Sequence, residues 1–143
     1  MTHTSPETLA VRAFFERYEA AGRSDDLTGL RDLFSPTFVA GGPSGAATIT
    51  VDMLVAAASA RRERLQAFGH DGGRLTALEV TWLGPSYCLA VTTWELGFTP
   101  PGRAPVTLSA DSDFVLHLGS DGPRIVTYLA RQDLDAEVST ALG

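Results

Sequence analysis

The sequence predicts an α+β domain in which three helices from the N-terminal half pack against the concave side of a curved antiparallel sheet. The first half shows helical periodicity, as in the apolar face formed by Val11, Phe14, Phe15 and Tyr18. The second half contains four β-rich stretches separated by Gly- and Pro-containing turns, at about residues 74–83, 86–98, 105–118 and 124–133. Connections this short require antiparallel hairpins, since a parallel crossover needs a dozen or more residues.

Capping and breaking residues delimit the three helices. Ser5, with Pro6 after it, predicts the start of the first helix, and Gly22 predicts its end. A shorter helix is capped by Asp25 or Asp26 and ends at Ser35-Pro36. Thr50 caps a longer third helix, which ends at Gly69. Its apolar stripe is Leu54, Ala58, Leu65 and Phe68, and Arg61 interrupts it. A short strand is predicted at residues 37–40, loops at 41–45 and 69–73, and the tail after Asp133 shows no strong pattern.

Length and composition favour a single domain over residues 1–143, with its core at about 5–133, and exclude several classes of protein. The chain is 44% hydrophobic and 20% charged, which is ordinary for a globular protein. A net charge of −6 argues against binding to nucleic acid or to an anionic membrane surface. Because Cys88 is the one cysteine, no disulfide can form within the chain. No apolar run approaches the ~20 residues that a membrane span needs, and the N-terminal residues lack a signal-peptide profile. These features predict a cytoplasmic protein.

No cofactor or metal site is expected from the pattern of candidate ligands. The histidines His3, His70 and His117 lack the i, i+4 spacing of a helical metal pair. Cys88 shares the inward parity of Ala90, which predicts a buried and inert thiol.

Strand alternation separates an aromatic inner face from an acidic outer face. The residues assigned to the inner face include Leu78, Val80, Trp82, Ala90, Thr92, Trp94, Ser112, Phe114, Val126, Tyr128 and Gln132. The outer face carries Glu79, Glu95, Asp111, Asp113, His117 and Arg131. The acids are expected to form a solvated or dimer-facing surface rather than a catalytic or metal-binding pair.

The order of elements, together with several local stretches, resembles the nuclear transport factor 2-like superfamily, which includes the SnoaL-like polyketide cyclases and ketosteroid isomerase. The stretches that carry the resemblance are Phe14-Phe15-Glu16-Arg17-Tyr18-Glu19-Ala20-Ala21-Gly22, residues 25–39, Gly42-Pro43-Ser44-Gly45 and Gly122-Pro123-Arg124-Ile125-Val126. The resemblance covers about residues 7–133 and implies a cystatin-like roll. It specifies a fold much more than a reaction.

Only one of three isomerase roles transfers onto this chain by the resemblance. Tyr18 matches the tyrosine that donates a hydrogen bond to the enolate oxygen. Gly42 stands at the position of the general base, which is a carboxylate in the isomerases. Phe114 stands at the position of their second oxyanion donor, a protonated aspartate, so both of these roles are missing here. Without the general base, no side chain is placed to abstract the substrate proton, so steroid-type isomerisation is not expected.

The main functional hypothesis is a pocket on the concave side of the sheet that takes a small, planar and largely apolar molecule. Its predicted lining is Phe14, Tyr18, Trp82, Thr92, Trp94, Ser112, Phe114, Tyr128 and Gln132. The strands supply no inward cation to hold a carboxylate or phosphate, so a neutral or weakly polar ligand is expected, although Arg61 on the third helix is within reach of such an anion. The alternative is that these aromatic side chains simply fill the core, leaving a non-catalytic association module.

Two further hypotheses concern catalysis and partners. If the protein is an enzyme, the resemblance implies a cofactor-free isomerase, lyase or polyketide-cyclase-like activity. Tyr18 and Asp133 are then the candidate catalytic residues, although strand parity points Asp133 outward. The resemblance also implies that the outer sheet face pairs two copies into a homodimer, and Thr81, Val91, Thr93 and Leu129 on that face fit such an interface.

Overall fold

The computed structural model describes residues 5–24 and 27–143, and the expected cap at Asp25 or Asp26 lies outside them, as does His3. The elements run α1 (Pro6–Arg23), a 3₁₀ helix (Leu27–Leu33), β1 (Phe34–Gly42), β2 (Gly45–Thr50), α2 (Val51–Gln66), β3 (His70–Trp82), β4 (Tyr87–Phe98), β5 (Val106–Gly119), β6 (Gly122–Ala130) and α3 (Leu134–Leu142). The architecture is α+β, with a curved, unclosed sheet, which confirms the predicted fold class.

The six strands form one sheet in the order β2-β1-β6-β5-β4-β3. The three hairpins that join β3 to β6 are antiparallel, as predicted. The β1 strand pairs in parallel with β6, which makes the sheet mixed. Local sequence gives no sign of this pairing, because more than 80 residues separate Val39 from its partner Thr127.

The helix caps follow the local sequence closely. The Ser5 hydroxyl accepts a hydrogen bond from the Thr8 amide at 3.1 Å, and Thr50 accepts one from Met53 at 3.2 Å. The α1 helix continues through Gly22 to Arg23, so the predicted end at Gly22 is one residue too early. The second predicted helix is a 3₁₀ helix that buries Leu27, Leu30 and Leu33.

Several segments differ from the predicted boundaries. The expected loop at 41–45 is a tight hairpin, because β1 extends to Gly42 and β2 begins at Gly45. The expected loop at 69–73 already belongs largely to β3, which pairs with the end of β4 through His70 and Phe98. The tail after Asp133, which carried no assignment, forms α3.

Gly69 connects α2 to β3 at a position that only glycine fits. Its φ is 75°, and a Cβ there would lie 2.1 Å from the Thr99 carbonyl oxygen. The Gly69 carbonyl accepts a hydrogen bond from the Thr99 amide at 2.7 Å. The close approach ties the start of β3 to the end of β4.

The hydrophobic core lies between the helices and the concave face of the sheet. Its main cluster joins Phe14 and Phe15 of α1 to Phe114, Leu116 and Ile125 of the sheet. Ile125 takes the inward place that alternation assigned to Val126, because a bulge shifts the β5–β6 register at this point. No helix within residues 5–24 and 27–143 combines the length and apolar character of a membrane-spanning segment.

A second, smaller cluster packs α3 against α2 and the distal ends of β4 and β5. It contains Leu134, Val138 and Leu142 of α3 with Leu65 and Phe98. The C-terminal helix therefore covers the end of the sheet that α1 leaves open, and it defines one boundary of the site.

Candidate functional site

A cavity of about 240 Å³ lies between α1, α2, the concave face of the sheet and the start of α3. The three sheet strands β4, β5 and β6 form its floor, and the helices form its walls. The lining residues are Tyr18, Glu19, Gly22, Arg23, Arg61, Leu65, Gly73, Trp94, Leu96, Ala110, Asp111, Ser112, Phe114, Tyr128, Ala130, Gln132 and Leu134. The surface is predominantly apolar, with a few polar groups placed among aromatic rings.

An aromatic cluster centred on Phe114 forms the inner wall of the cavity. The Phe114 ring lies 5.1 Å from Phe15, 5.4 Å from Tyr18 and 5.1 Å from Tyr128, measured between ring centroids. Tyr18 also contacts Trp94 at 5.7 Å. Tilted and edge-on pairs at these separations are attractive, so the rings hold one another in place.

Tyr18 projects from α1 into the cavity with its hydroxyl available to a ligand. Within the described part of the chain, no group hydrogen-bonds to this hydroxyl. Burial raises the pKa of Tyr18 above its usual value, neighbouring Tyr128 raises it further, and the charge of Arg61 opposes the rise. The phenol therefore stays protonated and can donate a hydrogen bond.

Trp94 is held in the cavity wall by a hydrogen bond to Thr92. The indole Nε1–H donates to the Thr92 hydroxyl at 2.8 Å, and that hydroxyl donates to the Ser112 carbonyl at 2.9 Å. Thr92 is fully buried, and it lies behind the wall rather than on the cavity surface. Its role in the structure is to orient Trp94.

Phe14 and Trp82 also lie outside the cavity lining, although both face the helical layer as predicted. Phe14 is completely buried in the main core. The Trp82 indole donates to the Thr8 hydroxyl of α1 at 3.3 Å, near the start of that helix. The N-terminal part of α1 thus fills this end of the concave space, and the cavity lies at the other end.

Gln132 lines the cavity, but its amide also completes the edge of the sheet. Its Oε1 accepts from the Asp111 amide at 2.7 Å, and its Nε2 donates to the Ser109 carbonyl at 3.1 Å. The side chain thereby continues the pairing of β5 beyond the end of β6. These bonds fix the position of the cavity rim.

Asp133 lies outside the cavity lining and caps the helix that follows it. Its Oδ1 accepts from the Ala136 amide at 3.1 Å, at the start of α3. This contact directs the carboxylate to the helix start and away from the cavity, in agreement with the outward parity predicted for it. The cap fixes the start of α3, and Leu134 next to it lines the cavity.

Arg61 is the cation that α2 places on the cavity surface. Its Nε is buried and has no hydrogen-bond partner among the residues that the structure describes. The sequence pattern predicted that Arg61 interrupts the apolar stripe of this helix, and the structure places it in the wall opposite the sheet. A buried donor without a partner costs about 1–3 kcal/mol, which makes this group a candidate for ligand contact.

The acids of the outer face point away from the helical layer, as strand parity predicted. Glu95 pairs with Arg74 at 2.8 Å, and Asp113 makes two hydrogen bonds to Arg131 at 2.8 Å. Glu79 is exposed. The tryptophans therefore lie on the inner face of the sheet and these carboxylates on its outer face, as predicted. The acids are paired or solvated rather than gathered into an acid–base site.

The remaining candidate ligands for metal or nucleophilic chemistry are dispersed. No group of three His, Cys, Asp or Glu side chains that could hold a metal ion occurs within residues 5–24 and 27–143. Burial lowers the pKa of His70, and its hydrogen bond to the Gly97 carbonyl partly opposes this shift. Burial raises the pKa of the Cys88 thiol, as expected for an unreactive core cysteine.

The aliphatic part of the cavity wall is not among the lining residues predicted from sequence; it is formed by Leu65, Leu96, Ala110, Ala130 and Leu134. Leu134 follows Asp133, beyond the last element predicted from sequence. The spacing of Leu134, Val138 and Leu142, four residues apart, is the signal that identifies an amphipathic helix there. Leu65 belongs to the predicted apolar stripe of α2, a pattern that does not distinguish a cavity wall from a filled core.

Comparisons with known proteins identify the fold. No protein-family model matches the sequence, and no curated protein matches it significantly. Aln2 from a Streptomyces species is a structural neighbour with a TM-score of 0.76 and 18% identity, covering 97% of this chain and 99% of its own. An uncharacterised protein with a cystatin-like fold from Caulobacter vibrioides has a TM-score of 0.71 and 16% identity, covering 96% and 99%.

An NTF-2 like protein of unknown function from Shewanella oneidensis is also similar, with a TM-score of 0.69 and 13% identity, covering 87% of this chain and 98% of its own. Identities at this level establish the fold alone. The fold implied by the sequence resemblance is thus confirmed, and the present chain has the nuclear transport factor 2-like, cystatin-like fold.

Proposed function

We propose that this protein is a SnoaL-like small-molecule-binding protein, whose ligand is a largely apolar, planar molecule of one or two rings. The observation that carries the proposal is the cavity itself, an open volume of about 240 Å³ walled by Tyr18, Trp94, Phe114 and Tyr128. This volume lies near the lower end of the range of ligand pockets, roughly 300–1,000 Å³, which favours a small ligand.

The placement of polar groups supports binding more than it supports a particular reaction. Tyr18 offers one protonated donor, while the carboxylate of Glu19 already accepts from the Leu75 amide at 2.6 Å. Asp111 accepts from the Thr93 hydroxyl at 2.9 Å. An isomerase- or cyclase-type activity on the same ligand remains an alternative, with Tyr18 as its hydrogen-bond donor.

The proposal includes a homodimer that forms through the outer face of the sheet. Exposed Leu129 and Tyr87 on this face support it, since they lie beside half-buried aliphatic side chains such as Val91 and Val115. An association module without a ligand is the alternative, and the open cavity favours the binding function. The proposed location is the cytoplasm, consistent with the single free thiol of Cys88.

Calorimetric titration with 2-naphthamide, a neutral two-ring probe, tests the binding function. We expect saturable binding of one molecule per chain to the wild-type protein. Trp94→Ala removes a wall of the cavity and should change the dissociation constant. Trp82→Ala is the matched control, because Trp82 is also an inner-face tryptophan but lies outside the lining.

A second variant tests binding without removing a tryptophan, so the result does not depend on whether the tryptophan variants fold. Ala110→Phe places a ring into the open volume from β5 and should abolish uptake. Ala47→Phe, on the exposed strand β2, is the control for the added ring. If wild-type protein takes up no 2-naphthamide, or if Ala110→Phe binds it unchanged, the binding proposal is wrong.

A further inference from the structure

The cavity contains an unused positive charge, and this feature defines the class of ligand more closely. Arg61 lines the cavity, its Nε is buried, and none of the described residues forms an ion pair or hydrogen bond with it. Its position on α2 belongs to the inward stripe that also carries Leu54, Ala58 and Leu65. A guanidinium in such a stripe lowers stability unless something compensates for its burial.

The other charged side chains of the lining already have partners. The Arg23 Nε donates to the Gly73 carbonyl at 2.9 Å, and Glu19 and Asp111 accept the bonds described above. Arg23 and Glu19 therefore join α1 to β3, while Asp111 links β5 to β4. Among the charged residues that line the cavity in the described chain, Arg61 retains its full capacity to donate.

The chemistry of the guanidinium points to a planar anion. Arginine presents its N–H groups in a rigid fork that matches the two oxygens of a carboxylate. Tyr18 and Arg61 line the same cavity, so a ligand there has two donors available to it. Glu19 is an acidic residue of the cavity lining, and its negative charge disfavours a ligand that carries two negative charges.

We propose that the ligand is an aromatic or otherwise planar monocarboxylate, whose carboxylate pairs with Arg61 and accepts a hydrogen bond from Tyr18. Its ring lies against Trp94, Phe114 and Tyr128. This inference rests on the proposed binding function and adds to it the charge and orientation of the ligand. The strands alone predict a neutral ligand, because they supply no inward cation. Arg61 of α2 supplies that cation, and the proposed ligand is therefore an anion.

The test compares 2-naphthoate with 2-naphthamide, which have the same ring system and differ in charge. We expect wild-type protein to bind 2-naphthoate about 10- to 100-fold more tightly, the range expected for hydrogen bonds to a charged group. Arg61→Met should weaken the binding of 2-naphthoate far more than that of 2-naphthamide, and so remove this preference. Arg61→Lys should restore part of the preference, and Tyr18→Phe should reduce it.

Arg12→Gln is the control for net charge, because Arg12 is an exposed residue of α1 outside the lining. This variant should keep the full preference for 2-naphthoate. Naphthalene-2-yl phosphate should bind to wild-type protein more weakly than 2-naphthoate, and this comparison needs no variant. Tighter binding of the phosphate would overturn the assignment of a single negative charge.

The failure of this inference is distinguishable from failure of the binding function. If 2-naphthamide binds as tightly as 2-naphthoate and Arg61→Met changes neither, the cavity binds small molecules but not through a carboxylate. If neither probe binds, both proposals fail together.

Discussion

Phe114 is the residue on which the aromatic wall depends, and its replacement by leucine gives a quantitative test. Phe114 and Phe98 are almost equally buried, with 1% and 0% of their surfaces exposed. A Phe→Leu change at either position therefore loses a similar amount of buried apolar surface, and the two sites differ mainly in their ring contacts. Phe114 contacts three aromatic rings, whereas Phe98, within the described chain, contacts only the His70 ring, at 4.9 Å.

Phe114 makes two more ring contacts than Phe98, and this difference sets how much more stability Phe114→Leu should lose. Each aromatic pair contributes about 0.5–1.5 kcal/mol beyond area burial, so Phe114→Leu should lower the free energy of unfolding by about 1–3 kcal/mol more than Phe98→Leu. Urea denaturation, followed by far-UV circular dichroism, measures both variants against wild type. The comparison is valid if the dependence of unfolding free energy on urea concentration is unchanged. Equal losses at the two sites would refute the claim that ring contacts around Phe114 stabilise the wall.

Three further predictions follow from individual contacts. Thr92→Val should lower the free energy of unfolding by about 1–3 kcal/mol, measured by urea denaturation, because the Trp94 indole loses its acceptor without a change in shape; no loss would show that this bond contributes nothing. Burial lowers the pKa of His70 in the folded protein below its unfolded value of about 6.5. Below that pH the unfolded chain therefore binds more protons than the folded chain, and the free energy of unfolding should fall as the pH is lowered. His70→Asn, which keeps a donor for the Gly97 carbonyl, should flatten the pH dependence of the urea midpoint, and an unchanged slope would contradict the assignment. Light scattering at micromolar concentration should give the mass of a dimer, and Leu129→Lys should give a monomer; a monomeric wild type would overturn the outer-face interface.

The local features of the fold were predictable because short-range chemistry determines them. Ser5 and Thr50 cap helices through hydroxyl contacts within three residues, and both were identified from sequence. Strand parity separated Trp94 from the acids correctly, since alternation is a property of each strand. The antiparallel hairpins likewise followed from the short turns.

The long-range features were not predictable from these rules. The parallel pairing of β1 with β6 depends on the path of the whole chain, and the bulge that turns Ile125 inward depends on the partner strand. The extent of the cavity was overestimated for a related reason. Alternation placed Trp82 and Thr92 on the inner face, but it could not indicate that Phe14 and the rest of α1 fill the space beside them.

The most direct test of the central claim is a ¹H–¹⁵N correlation spectrum recorded during titration with 2-naphthoate. The chain has two tryptophans, so it gives two indole N–H signals, which the Trp82→Phe and Trp94→Phe variants assign. A ligand in the cavity lies against Trp94 and away from Trp82, whose indole is bonded to Thr8. We expect the Trp94 signal to shift and saturate while the Trp82 signal stays in place. A stationary Trp94 signal, or equal shifts of both, would contradict binding in this cavity.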